Sequence, residues 1–171
     1  MTDGETDFDA VERAVRGRTF GTLSTLTRHD APHATGVVYA VAPPAERLRL
    51  YVTTRTSTAK VANIRANPHV AFVIPVPHRL PLFPPRAVQF QGTAEVLGAD
   101  DPAALRAFRA SWFHRRILAT EQRLLAEGET LCFVAIRPHA TVFTYGIGMS
   151  AFEVLRRPRQ AVGRTHLPTD R

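Results

Sequence analysis

The chain has 171 residues, of which 44% are hydrophobic and 22% charged, and a formal net charge of +7. Those values fit one soluble globular domain with a real core. A single cysteine, Cys132, excludes an internal disulfide framework, and no apolar stretch is long enough to span a membrane.

The first ten residues, MTDGETDFDA, are acidic and lack an apolar run, so a cytoplasmic location is expected. The positive charge raises the question of nucleic acid. However, the basic residues are spread along the chain. Their one dense cluster (Arg156, Arg157, Arg159 and Arg164) reads as a solvated tail, and no nucleic-acid partner is expected. Among the 22 basic residues Lys60 is the only lysine.

In chain order, Phe8, Val11 and Val15 recur on one face and predict a helix over Phe8 to Arg16, ended by Gly17. Arg18 to Thr27 and His33 to Val41 read as a strand pair joined by a polar turn. Arg47 to Thr54 is a third strand. It runs into TSTAKVANIRANP, a short helix that Ser57 or Thr58 can cap and Asn67-Pro68 stops. Arg55, Ser57, Thr58 and Lys60 crowd anion-seeking groups at that helix start, where unpaired N–H groups and a partial positive charge favour a phosphate.

His69 to Val76 is the next strand. Pro77 to Arg86 is a proline-rich loop in which Leu80, Leu82 and Phe83 are expected to pack on a neighbouring surface. Ala87 to Gly98 alternates as a half-buried strand. Asp100 or Asp101 caps a helix with Pro102 at its first position. An apolar stripe of Leu105, Phe108, Trp112 and Ala119 continues toward Glu127, as one helix or as two with a break between them, and Gly128 closes it. Leu131 to Arg137 and Thr141 to Tyr145 read as two last strands separated by Pro138-His139. From Gly146 the periodicity is weak. The expected layout is one domain over residues 1–145 and a C-terminal arm or tail over 146–171. The fold class is α+β, mainly β: an antiparallel barrel with flanking helices.

Three segments carry a resemblance: GTLSTLTRHDAPHATGVVY, LRLYVTTRTSTAKVANIRANPHVAF and VQFQGTAEVLG. They resemble the pyridoxamine 5′-phosphate oxidase-like proteins, the flavin-binding split β-barrels. The resemblance implies a homodimer with cofactor at the subunit interface. FMN is the usual cofactor; related branches take the deazaflavin coenzyme F-420 and a few bind haem. It places the cofactor phosphate on Arg55, Ser57, Thr58 and Lys60. Ring and ribityl contacts fall to His33, Thr35, Val37, Thr53 and Thr54, and Gln91 contributes from the other subunit. The expected function is an FMN-binding oxidoreductase acting on a small molecule. The alternatives are an F-420-dependent reductase and a non-enzymatic flavin carrier or sensor.

Two departures matter. Many members have one residue fewer between the Ser and the Lys than Ser57 and Lys60 do. The C-terminus also lacks the Trp and Arg/His-rich ending that holds substrate phosphate in the true oxidase, so that activity is not expected. No nucleophile elbow, Walker loop, Rossmann fingerprint or metal-ligand spacing is present, and no metal is expected. Flavin chemistry fits this lack, because the cofactor carries the reaction and the protein positions it.

Overall fold

The computed structural model describes residues 4–77, 86–125 and 128–168. The elements are β1 (Gly4–Glu5), α1 (Phe8–Arg16), β2 (Phe20–Leu26), β3 (Pro32–Val41), β4 (Leu50–Arg55), α2 (Ala59–Ala66), β5 (His69–Val76) and β6 (Arg86–Gly98). They continue with α3 (Pro102–Arg109), α4 (Trp112–Arg123), β7 (Leu131–Tyr145), α5 (Ala151–Arg156) and β8 (Val162–His166). The sheet runs β7-β4-β3-β2-β5-β6, and β6 pairs back onto β7 to close a six-stranded antiparallel barrel. The mainly-β split-barrel expectation therefore holds.

β7 explains why LCFVAI is apolar without alternation. Cys132, Val134 and Ile136 point into the barrel, while Leu131, Phe133 and Ala135 pack outward against α3 and α4. A strand buried on both faces needs apolar residues at every position. β4 does the same in miniature, with Leu50 and Val52 inside and Tyr51 outside.

Inside the barrel Phe72 is the hub. Tyr39 meets it edge-on at 5.5 Å and Phe90 stacks on it at 5.7 Å. α1 plugs one end through Val11 and Val15, and Tyr39 Oη donates to the Val15 carbonyl at 2.7 Å. α2 covers the other end through Val61 and Ile64. There Asn63 Nδ2 donates to Thr25 Oγ1 at 2.9 Å, which satisfies both buried groups.

The structure differs from the sequence expectation in three places. First, β7 is one strand, not two. Pro138 is tolerated because the β6–β7 register shifts between Phe90 and Gly92, where β7 spends more residues than β6. Second, Trp112 does not continue the apolar stripe: the segment breaks after Arg109, and Ser111 caps α4 by accepting from the His114 N–H. The break resets the helical phase and leaves Trp112 68% exposed. Third, the weakly periodic stretch after Gly146 contains α5, with a Ser150–Glu153 capping box, and β8, which pairs with the second half of β7. Leu80, Leu82 and Phe83 lie outside the described residues.

Gly92 sits opposite Pro138 at the register shift, and a Cβ there would collide with the Arg137 carbonyl oxygen. Backbone cannot yield as a side chain can. Gly92→Ala is expected to cost about 1–3 kcal/mol, read as a lower urea midpoint with an unchanged slope.

Candidate functional site

The β4–α2 junction gathers the proposed anion-binding residues, but into two groups. The first is inward. Thr54 lies on the barrel face of β4 with Val52 and is buried. Lys60 Nζ donates to Thr54 Oγ1 at 3.3 Å, and Thr54 Oγ1 lies 3.3 Å from Thr58 Oγ1. Thr58 is the N-cap of α2, which settles the choice between Ser57 and Thr58. Its hydroxyl does not cap the helix; it donates back to the Arg55 carbonyl at 2.9 Å. The first-turn N–H groups of α2 are thus left without a side-chain acceptor.

The second group is outward. Arg55 Nη1 lies 3.4 Å from Glu129 Oε2, and Ser57 Oγ donates to Glu129 Oε1 at 3.1 Å. A carboxylate thus spans the two residues at the mouth of the junction. Glu129 was not visible as a site residue in the sequence, being 72 positions from Ser57. The register reveals it: Arg55 pairs with Leu131 and Thr56 N–H bonds the Thr130 carbonyl, so the ladder carries Glu129 to Ser57.

Lys60 is half-buried and, among the described residues, has no carboxylate within ion-pair distance. Burial lowers its pKa from the ordinary lysine value; the Glu121 carboxylate works against that, and Arg55 adds to it. A cation at a helix N-terminus is also mildly unfavourable. Both costs vanish when an anion binds. With Thr58 as cap, Lys60 lies inside the first turn of α2.

The other candidates divide by strand face. His33, Thr35 and Val37 share one face of β3 with Tyr39, which lines the barrel; Thr35 Oγ1 lies 3.5 Å from His33 Nδ1. The β3–β4 ladder ends at Tyr39 opposite Val52, so Thr35 and Val37 on one strand and Thr54 on the other flank its open end. Thr53 points the other way, on the face of Tyr51 that packs under α3 and α4, and its buried hydroxyl has no partner among the described residues. Gln91 is exposed on β6 beside Ala71 and lines a separate cleft with His69 and His139. Within one chain it does not join the junction. A third cleft, of about 360 Å³, is lined by Phe8, Leu48, Arg49 and Arg137 and also lies apart from the junction.

His114 is engaged at both ring nitrogens, with Ser111 Oγ at 2.7 Å and the Tyr39 carbonyl at 2.8 Å, which leaves neither free to ligate a haem. His78 lies outside the described residues. Among the described residues no three metal-ligating side chains cluster.

The barrel, its closure on β7 and the strand–cradle–helix junction can now be set beside known proteins. The pyridoxamine 5′-phosphate oxidase family profile matches residues 8–144. The chain belongs to that family. No curated protein matches it. Among solved structures, a conserved hypothetical protein of Mycobacterium tuberculosis superposes with a TM-score of 0.63 at 21% identity, over 84% of this chain and 87% of that one. A pyridoxamine 5′-phosphate oxidase-related, FMN-binding protein of Nostoc punctiforme gives 0.60 at 16%, over 81% and 82%. HutZ, the heme storage protein of Vibrio cholerae, gives 0.62 at 13%, over 82% and 96%. At these identities the likeness shows the fold alone.

Because Lys60 is the only lysine, lysine-selective ¹³C labelling yields one side-chain signal. Its titration is expected to fall below the ordinary lysine range. The unfolded chain then holds more protons than the folded one between the lowered and the ordinary value, so stability rises with pH across that window. Lys60→Met should remove that rise in alkaline urea melts.

Proposed function

We propose that the chain binds FMN, with the phosphate at the β4–α2 junction, and works as a homodimeric oxidoreductase on a small molecule. The observation that carries this reading is Lys60: a half-buried ammonium at the start of α2, held by Thr54 and lacking an ion-pair partner among the described residues. A phosphate monoester supplies the missing charge and accepts from the α2 N–H groups and Lys60, and from Thr58 once its hydroxyl turns from the Arg55 carbonyl. Family membership and the FMN-binding Nostoc relative support the choice of cofactor.

Bound flavin would supply the hydride or electron transfer through its ring. The chain's part is to hold and orient it. Thr54, Thr58 and Lys60 anchor the phosphate. Arg55 and Ser57 join them when Glu129 gives them up. His33, Thr35 and Val37 offer a half-polar wall for the ribityl chain and ring, and buried Val37 keeps water from its inner edge. Large side chains left exposed on one chain, among them Phe143 and Phe152, are what a second copy would cover. The same junction would take the deazaflavin coenzyme F-420, whose longer anionic tail suits the net charge of +7. The absorption spectrum of the released cofactor separates the two.

Replacing Arg55 and Lys60 together by Ala is expected to weaken FMN binding about 100-fold or more, with the barrel intact by circular dichroism. Unchanged affinity in a fluorescence titration would remove the phosphate assignment. Glu129→Gln should act in the opposite direction: freeing Arg55 and Ser57 is expected to tighten FMN by roughly three- to five-fold.

A further inference from the structure

The barrel end away from α2 carries a second cationic cleft, of about 340 Å³, between α1 and the facing ends of β2, β5 and β6. Arg13, Arg18 and Arg86 line it, and no lining residue is acidic. The sequence from Val70 to Ala94, which supplies its β5 and β6 walls, contains no Asp or Glu. None of the three guanidinium groups has a hydrogen-bond or ion-pair partner among the described residues.

Arg86 is the most constrained. Its Nε is fully buried and lacks an acceptor among the described residues. Its stem crosses Gly146, which has a positive φ of 65° and where a Cβ would lie 3.0 Å from Arg86 Cγ. Only glycine accepts both that conformation and that approach. Tyr39, near Arg18, is no counter-ion: burial pushes its phenol pKa up, and its hydroxyl is committed to the Val15 carbonyl. Three like charges in one cleft repel, and a buried donor without an acceptor is unfavourable. Both penalties end when an anion with several acceptor oxygens enters.

We infer that this cleft binds the phosphate group of a small molecule, with Arg13, Arg18 and Arg86 as its ligands. The guanidinium fork matches phosphate geometry, and three such groups suit a dianion better than a carboxylate. The volume is that of a small-molecule site rather than of a bare ion. Val76, Ile147 and the alanines of α1 offer an apolar wall for the rest of the molecule. The site is separate from the β4–α2 junction. The two share no residue: the cleft is lined from α1, the segment between α1 and β2, Val76, Arg86, Ile147 and Gly148. The inference does not depend on the FMN assignment.

The test is an amide NMR titration of the ¹⁵N-labelled chain with sodium phosphate, exchanged against sodium chloride at constant ionic strength. The Gly17 and Gly148 amides report this cleft, and those of Ala59 and Lys60 report the junction. Saturable shifts at Gly17 and Gly148 are expected, weakened about ten-fold or more in Arg18→Gln and in Arg13→Gln. Arg13 is exposed on α1, so its variant tests binding without endangering the fold. Static glycine amides, or wild-type affinity in both variants, would overturn the site. Acetate binding as tightly as phosphate would overturn the phosphate preference.

Discussion

Everything in this molecule hangs on β7. It is hydrogen-bonded to β4 on one side and β6 on the other, which closes the barrel, and its second half also carries β8. Its first six residues are buried on both faces, so one strand contributes to the barrel interior and to the layer under α3 and α4 at once. Removing water from both faces of a strand leaves no freedom in its register, because a shift of one position would exchange the two cores.

That fixed register also builds the mouth of the junction. The pairing that seats Val134 opposite Val52 delivers Glu129 to Ser57 and Arg55. The junction is therefore not a bare cluster of cations. Its outer half is neutralised by a carboxylate of the same chain, while its inner half, Lys60 with Thr54 and Thr58, is held by hydroxyl groups alone.

Much of this was legible in the residues. α1 and β5 fall at the expected bounds because their apolar spacing is unambiguous and each is stopped by a strong breaker or cap. The helix start with Lys60 was legible because hydroxyl, basic and cap residues are contiguous there. What stayed hidden depends on long-range pairing. Pro138 reads as a break unless the bulge opposite Gly92 is known. β8 has little hydrophobicity of its own and is a strand because β7 offers an edge. Glu129, in the connection just before β7, carries no local mark of where it sits. The faces of Thr53 and Thr54 follow from alternation, yet which face is the barrel interior required the closure to be seen.

The broken helix at Ser111 has an optical consequence. Trp112 is the only tryptophan and stands largely in water on the surface of α4, beneath the Arg116 guanidinium at 5.8 Å. The indole is remote from the packed interior that melts when the barrel opens. Intrinsic fluorescence of the folded chain is therefore already that of a hydrated indole. Its colour is nearly blind to unfolding, and it becomes instead a reporter of whatever comes to rest on α4.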